Sequence, residues 1–242
     1  MHDRSRRSED PLKQLRPTAV IPLGDVAAYV EFSRVLDLEV NEFVQRVAAA
    51  VRARGEPWIR DVVPALGGLA LHFDPDFEGV VGDVAAELVE RCLKEDLSPA
   101  EELGRDVEVP VCYDKLFAPD LEEVAAKTGV ATEEVAARHA AGQYRVLMIG
   151  FAPGHAYMGG LDAKLAMPRR ASPRARVEAG SVAIANEQTV IYPFAIAGGW
   201  NIIGRTPLTV FDADRQEPSL FATGDRVRFK PITRTEYQKL VK

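Results

Sequence analysis

Cysteine, histidine and long apolar runs are scarce in this sequence of 242 residues, and each scarcity argues against a class of protein. Cys92 and Cys112 form no CxxC pair, so we expect two reduced, buried thiols, with a disulfide between them as the less favoured alternative. No apolar run approaches the roughly 18 residues of a membrane-spanning helix. The four histidines show no spacing typical of a zinc site, so we predict no metal centre: His2, His72, His139 and His155.

Several motifs of nucleotide and hydrolase chemistry are also missing. The sequence contains no GxxxxGK[ST] phosphate loop, no GxSxG nucleophile elbow and no HExxH pair, so neither a Walker-type ATP site nor a zinc hydrolase is predicted. It has no Met-Lys-Met biotin attachment site, and any biotin would arrive on another chain. The formal net charge of −6 contrasts with the basic excess typical of nucleic-acid binders, and we expect no nucleic-acid partner.

The composition itself is that of an ordinary soluble protein. Hydrophobic residues make up 47% and charged residues 27% of the chain, which is long enough for one large domain or two small ones. Residues 1–17 are basic and have no apolar core, so we predict a disordered tail rather than a secretory signal, with a phosphate-binding arm as the less favoured alternative. We expect a cytoplasmic protein with no membrane partner.

Residues 18–105 show the pattern of an α+β subdomain that ends in the stretch DLSPAEELGRD. Apolar residues at helical spacing predict an amphipathic helix over 38–54, ended by Gly55, and a second helix over 79–96. Four short segments are predicted to contain strands: 18–31, 58–64, 68–73 and 107–113. Strand, helix, strand, strand, helix, strand is the order of a ferredoxin-like unit, although the last strand can also pair with the C-terminal half.

Residues 106–242 form the second predicted subdomain. A helix–turn–helix at 120–128 and 132–141 precedes 144–207, where β-branched and aromatic runs are interrupted every few residues by Gly, Pro or Asn. Runs this short are typical of strands rather than helices. We therefore predict a compact all-β unit, closed by two further strands and a terminal helix: 208–212, 226–231 and 234–241.

His155 is the candidate catalytic residue. It lies in the turn APGHAY, between a buried-looking strand and a Gly-Gly pair, where a side chain can reach a cleft. A neutral imidazole there can act as an acid or a base near neutral pH. The more common role of such a histidine is to hydrogen-bond the turn backbone.

Two further groups are candidates for substrate binding. The loop PRRASPRARV offers paired guanidinium donors for a carboxylate or phosphate, or else forms a solvated, salt-bridged loop: Arg169, Arg170, Arg174 and Arg176. The second group combines glycines that allow close backbone approach with aromatic side chains that carry a polar group, features of a ligand cleft, a subunit interface or a packed core. It consists of Gln188, Tyr192, Gly198, Gly199, Trp200 and Arg205.

Three successive segments, GFAPGHAYMGGLD, MPRRASPRARVEAGSVAIA and QTVIYPFAIAGGWNIIGRTP, resemble the signature of one family. It contains the B subunit of 5-oxoprolinase, allophanate hydrolase subunit 1 and the Kip-type inhibitor of a sporulation histidine kinase, and corresponds to the carboxyltransferase domain, subdomains C and D. The resemblance extends over most of the chain. It implies that the second subdomain is a cyclophilin-like β-barrel, so that the expected fold is α+β, with a ferredoxin-like subdomain before the barrel.

The resemblance also bears on the candidate residues. Arg170 and Arg174 match family positions most closely, which favours these two as the substrate-binding pair. At the position of His155 the family more often has an apolar aromatic residue, and this departure argues against a catalytic role common to the whole family.

The activity that the resemblance implies is that of one component of an ATP-dependent 5-oxoprolinase, which converts 5-oxo-L-proline to L-glutamate with hydrolysis of ATP. ATP would be bound by, or shared with, a partner subunit, and the chain alone would be inactive. The implied partners are a second carboxyltransferase-like subunit, the C-type component of 5-oxoprolinase, and the A-type component of the same enzyme. Two alternatives stay open, since one fold supports several activities: a carboxyltransferase subunit that acts on urea or a related amide, with biotin on a separate carrier, and an inhibitor of a sensor histidine kinase.

Overall fold

The computed structural model describes residues 15–97 and 104–241, which fall into two compact units within Met1–Glu102 and Leu103–Lys242. Residues 1–14 of the predicted tail and 98–103 of the predicted boundary stretch lie outside the described residues. The subdomain limits at 105 and 106 therefore stay a prediction. Within the described ranges, no helix is both long and apolar enough to cross a membrane.

The first unit consists, within its described residues, of a four-stranded sheet and two helices. In chain order these are β1 (Ala19–Pro22), β2 (Ala27–Glu31), α1 (Leu38–Arg54), β3 (Ile59–Pro64), β4 (Gly68–Phe73) and α2 (Val81–Cys92). The strands pair antiparallel in the order β1-β2-β4-β3. Apolar residues of both helices share one core with the inward side chains of the sheet.

The limits of α1 follow from its sequence. The Asp37 carboxylate accepts hydrogen bonds from the backbone N–H groups of Glu39 (2.9 Å) and Val40 (3.2 Å), which satisfies donors that the first turn leaves unpaired. Gly55 takes a left-handed conformation at φ 61° and ends the helix, as predicted.

The strand predicted at 107–113 does not complete this sheet. It is β5 (Asp106–Val111), which runs parallel to β13 (Arg226–Pro231) in the second unit. The edge position beside β2 is taken by β1, which pairs antiparallel with Ala19 opposite Glu31. The N-terminal hairpin thus supplies the fourth strand of the ferredoxin-like arrangement.

The second unit is built mainly from strands. Its described elements are β5, α3 (Leu121–Thr128), α4 (Thr132–Ala141), β6 (Tyr144–Ile149), β7 (Ala156–Gly159), β8 (Arg174–Val177), β9 (Ser181–Ala185), β10 (Gln188–Ile191), β11 (Ile196–Gly198), β12 (Asn201–Arg205), β13 and α5 (Arg234–Leu240). The two helices predicted before the all-β stretch are present, as is the terminal helix. The segment 208–212 is not a strand, because only Phe211 pairs there, in an isolated bridge with Ser219.

Seven of these strands form a sheet that nearly closes on itself. Their order is β12-β9-β10-β7-β6-β13-β5, and all neighbours are antiparallel except β13 and β5. The two edges meet where Cys112, directly after β5, exchanges backbone hydrogen bonds of 2.8 and 3.0 Å with Arg205 at the end of β12. The fold class is therefore confirmed as α+β, with a ferredoxin-like unit followed by a cyclophilin-like barrel.

Alternation along the barrel strands divides their side chains between two clusters. One cluster takes side chains from all seven strands and from α3 and α4, among them Val146, Met158 and Ile184. The other lies on the opposite face and contains Tyr192 and Trp200. Both cysteines are free and buried, as predicted.

Candidate functional site

The turn between β6 and β7 carries His155, the predicted catalytic residue. The backbone N–H of Gly150 donates to the His155 carbonyl (3.1 Å), and the N–H of His155 donates to the Ala152 carbonyl (3.0 Å). The His155 side chain is 2% exposed, and its Nδ1 has no hydrogen-bond partner among the described residues. Burial lowers the pKa of this imidazole to about 4, so it is neutral at pH 7.

Three aromatic rings pack around the His155 imidazole. Their centroids lie 5.4 Å (Phe151), 4.9 Å (Tyr157) and 5.4 Å (Tyr192) from its own. Tyr157 also contacts Trp200, with the ring centroids 5.9 Å apart. We call Tyr157, Tyr192 and Trp200 the aromatic cluster. Phe151 stands apart from it because the residue is 71% exposed and its backbone has φ 71°, an unusual conformation for a bulky residue.

The two glycines of the second predicted group serve the packing beside this cluster. A Cβ atom on Gly198 would overlap the hydroxyl of Tyr192, so only glycine leaves room for that side chain. The Gly199 carbonyl accepts a hydrogen bond from the backbone N–H of Arg170 at 2.7 Å. This bond ties the arginine loop to the segment that carries Trp200.

Arg170 and Arg174, the predicted substrate-binding pair, both bind one buried carboxylate. Asp120 is 2% exposed and accepts from Arg170 Nη1 (2.8 Å), Arg174 Nη1 (2.8 Å) and Arg174 Nη2 (2.6 Å). It also accepts from the backbone N–H of Ile202 at 2.7 Å. Arg170 makes a further ion pair with Glu123 at 3.0 Å. Much of the donor capacity of the two guanidinium groups is therefore already engaged within the protein.

Asp120 was missed by the sequence reasoning, although it belongs to the predicted helix–turn–helix. It is the residue before α3, where an aspartate commonly caps the helix, yet its side chain makes no capping hydrogen bond. A capping residue whose side chain is not used for the helix is free to bind elsewhere. Whether such an aspartate caps its helix or binds a distant side chain depends on the tertiary fold, and no local sequence pattern shows which.

Arg169 behaves differently from its neighbours. It is exposed, and its guanidinium carbon lies 5.5 Å from the centroid of the Trp200 ring, a cation–π arrangement. Its charge acts against protonation of His155, although burial is the main cause of the lowered pKa of that imidazole. Burial raises the pKa values of Tyr157 and Tyr192, and the same guanidinium opposes both shifts. Arg169 therefore lies beside the aromatic cluster and close enough to His155 to influence the pKa of its imidazole.

Two further predicted residues, Gln188 and Arg205, have other surroundings. Gln188 begins β10, two residues before Val190, and its Nε2 is buried without a hydrogen-bond partner among the described residues. Arg205 ends β12, and its guanidinium lies over the ring of Phe117, 5.7 Å from the centroid. Phe117 in turn packs on Tyr237 of α5, with centroids 4.4 Å apart. The predicted residues that converge are thus His155, the two glycines, Tyr192 and Trp200, with the arginine loop.

A chain of buried hydrogen bonds runs through His139 on the other side of the barrel wall. Thr189 Oγ1 donates to the Ala183 carbonyl (3.1 Å), so it accepts from His139 Nε2 (3.0 Å), and His139 Nδ1 accepts from the Tyr113 hydroxyl (2.7 Å). Complete burial lowers the pKa of His139 to about 3. The His139 imidazole is therefore neutral at pH 7.

A cavity of about 720 Å³ lies at the Tyr113 end of this hydrogen-bond chain. Its lining includes Cys112, Leu121, Thr132 and Ile232, with charged groups that include Lys115 and Glu122. Lys115 and Glu122 form an ion pair at 3.2 Å. None of the predicted site residues lines the cavity, so its volume is not evidence for the site around His155.

Comparison with known proteins places this geometry in a family. Residues 18–221 match the model "Carboxyltransferase domain, subdomain C and D". The chain is 39% identical over 228 residues to the B subunit of 5-oxoprolinase from Bacillus subtilis (strain 168), covering 89% of this chain and 93% of the relative. It is 35% identical over 212 residues to the B subunit of 5-oxoprolinase from Escherichia coli O157:H7, covering 86% of this chain and 94% of the relative.

Solved structures show the same fold. A crystal structure of TTHA0988 superposes with a TM-score of 0.73 at 36% identity, covering 85% of this chain and 40% of that one. The urea carboxylase of Kluyveromyces lactis superposes with a TM-score of 0.72 at 17% identity, covering 93% of this chain and 24% of that one. The chain therefore spans less than half the length of either of these two structures.

Proposed function

The chain belongs to the family of carboxyltransferase domains, subdomains C and D, and we propose that it is the B-type subunit of an ATP-dependent 5-oxoprolinase. Such an enzyme opens the lactam ring of 5-oxo-L-proline to L-glutamate with hydrolysis of ATP. The observation that carries the proposal is the similarity to relatives described as B subunits of 5-oxoprolinase, over nearly their whole length. A domain shared by many activities would not by itself support this choice.

The proposed enzyme is a cytoplasmic complex. A second carboxyltransferase-like subunit, of the C type, and an A-type component complete it, and ATP is bound by, or shared with, a partner. The sequence contains no phosphate loop that would hold ATP by itself. On this proposal the chain alone releases no glutamate from 5-oxo-L-proline and ATP.

The site around His155 is the part of the chain that we assign to the substrate. Tyr157 is half-buried and offers part of its ring to a small apolar ring, with the buried rings of Tyr192 and Trp200 in the same cluster. The neutral imidazole of His155 offers a hydrogen-bonding nitrogen. A pKa of about 4 makes this imidazole a weak base, so we assign it to hydrogen bonding rather than to proton abstraction.

ATP gives a chemical reason for cations near the substrate. An amide is a poor electrophile, and phosphoryl transfer to its oxygen would activate the lactam for attack by water. Cationic side chains stabilise the negative charge that accompanies phosphoryl transfer. Arg170 and Arg174 lie beside the cluster, but Asp120 engages them, so we propose that they support the site rather than bind substrate directly.

The carboxylation of urea or a related amide is not favoured by the comparisons. The likeness to the Kluyveromyces lactis urea carboxylase is at 17% identity and supports the shared fold alone. Kinase inhibition has no supporting observation in the site, and we put forward no second function.

The test is glutamate release from 5-oxo-L-proline and ATP by co-expressed candidate partner subunits, with and without this chain. We expect glutamate only when this chain is present. Absence of glutamate from a verified, assembled complex would overturn the proposal, and so would ATP-coupled glutamate formation by this chain alone.

A further inference from the structure

The four arginines of the loop 169–176 differ in whether a carboxylate already binds them. Arg170 and Arg174 are ion-paired as described above, and Arg176 pairs with Glu178 at 2.8 Å. For Arg169 no carboxylate among the described residues lies within ion-pair distance. Its positive charge is therefore the one in this loop that the described part of the chain leaves available for an external anion.

The position of Arg169 is fixed by contact with an aromatic ring. Its guanidinium lies over Trp200, which is only 5% exposed and is held by its contact with Tyr157. Because the guanidinium donors lie in its plane, a group held over a ring can still present N–H donors at its edge. The side chain is thus oriented without using the donors that would recognise a carboxylate.

Besides the Arg169 guanidinium, a second polar group beside the aromatic cluster has no partner in the described part of the chain. The Nδ1 of His155 is buried and has no hydrogen-bond partner among the described residues, and leaving such an atom unpaired is costly. His155 packs on Tyr157, which in turn contacts the ring beneath Arg169. Within the described ranges, an exposed, unpaired cation and a buried, unpaired imidazole nitrogen therefore both adjoin the contacting rings of Trp200, which is buried, and Tyr157, which is half-buried.

We infer that Arg169 binds the carboxylate of a small molecule at the aromatic cluster, with His155 as a hydrogen-bond partner for a second polar group of that molecule. The ligand class is a compact carboxylic acid that also carries an amide or amine. This assignment differs from the one that the sequence favours, in which Arg170 and Arg174 bind the substrate. The choice of 5-oxo-L-proline as ligand rests on the proposed function; the carboxylate site itself does not.

Binding to the full chain can be followed through Trp200. The chain has two tryptophans, and Trp58 lies in the other unit, so a Trp58→Phe chain reports from Trp200 alone. We expect a saturable change in fluorescence on titration with 5-oxo-L-proline or L-glutamate. Arg169→Ala should weaken binding roughly ten- to a hundredfold, the range for a lost charge-assisted hydrogen bond, and Arg169→Lys should weaken it less.

Arg176→Ala is the matched control, because it removes a loop arginine that is exposed and already paired with Glu178. It should leave the Kd unchanged. An equal loss in both variants would indicate a general charge effect and overturn the inference. Calorimetric titration of the assembled complex repeats the test with partners present, and no saturable binding of either acid to chain or complex would also overturn it.

The outcomes separate this inference from the proposed function. If L-glutamate binds and depends on Arg169 while 5-oxo-L-proline does not bind, the carboxylate site stands and the assignment of 5-oxo-L-proline as its ligand fails. If the complex needs this chain for glutamate release but Arg169→Ala leaves the KM for 5-oxo-L-proline unchanged, the proposed function stands and the site assignment fails.

Discussion

Asp120 joins three segments that are distant in sequence, and its removal provides a quantitative test of the site architecture. Its carboxylate accepts from Arg170, Arg174 and the backbone N–H of Ile202. Asp120→Ala leaves that N–H without its acceptor, at a cost of about 1–3 kcal/mol if it stays buried. Both guanidinium groups are partly exposed, with side chains 25% and 28% accessible, so water offsets much of their loss and each adds about 0–1 kcal/mol.

The expected loss in the free energy of unfolding is therefore about 1–5 kcal/mol for Asp120→Ala. Asp120→Asn should cost less, because its side-chain carbonyl can still accept one hydrogen bond. Glu123→Gln is the control, since Glu123 pairs with Arg170 at a more exposed position, and it should cost under about 1 kcal/mol. Urea unfolding of chains that carry Trp58→Phe, followed by Trp200 fluorescence, measures the second unit.

The essential result is the order of the stability losses: Asp120→Ala should lose the most, Asp120→Asn less, and the control Glu123→Gln the least. If Asp120→Ala loses no more stability than Glu123→Gln, then the buried carboxylate does not anchor the arginine loop. The engagement of Arg170 and Arg174 would then be no reason to exclude them as ligands for substrate.

Three further perturbations address other parts of the second unit. Because burial lowers the pKa values of His139 to about 3 and of His155 to about 4, the unfolded chain binds more protons below pH 6.5, and unfolding free energy should fall by about 2 kcal/mol per histidine between pH 7 and pH 5. Replacing both by glutamine should flatten that dependence, measured by urea unfolding at each pH. Gly198→Ala should destabilise by about 1–3 kcal/mol, because the added Cβ would overlap the Tyr192 hydroxyl and lie 2.6 Å from two of its ring carbons. Tyr192→Phe in the same chain removes only the closest of these overlaps and should recover part of the loss. Phe151→Asn should raise the midpoint of thermal unfolding slightly, by relieving a positive φ that costs about 1 kcal/mol.

Each of these expectations has a contrary outcome. An unchanged pH dependence in the double glutamine variant would mean that the two imidazoles are not held neutral. Gly150→Ala has open space for its Cβ and serves as the control for Gly198→Ala, so equal losses would contradict the steric argument. A lower thermal midpoint for Phe151→Asn would mean that the contact of its ring with His155 outweighs the strain.

The sequence predicts the elements that local patterns define. Helix α1 appears with the bounds that apolar spacing and Gly55 indicate, and the punctuated stretch after residue 144 is indeed a β unit. Three short strands of this unit, β7, β8 and β11, have no separate signal in the sequence. Each has only three or four residues, and β8 carries two arginines, so no alternation of apolar side chains identifies it.

Most of what the local sequence patterns do not predict is the pairing between strands that are distant in the chain. Nothing in the pattern of β5 decides whether it joins the first sheet or the barrel, because either neighbour satisfies its backbone groups. The decision comes from β13, which is separated from β5 by over a hundred residues and presents a matching parallel edge. The same holds for the bridge between Cys112 and Arg205, which brings the two edges of the barrel sheet together.

The arginine loop shows how residue type alone misleads at a binding site. Four arginines within eight residues indicate an anion site, but their order in the chain does not say which charges the protein itself neutralises. Asp120 neutralises part of the charge of Arg170 and Arg174 from a helix start fifty residues earlier, and Trp200 orients Arg169 from the segment between β11 and β12. Because the tertiary partners select the available cation, the residue best placed to bind an external carboxylate is one that the sequence reasoning did not favour.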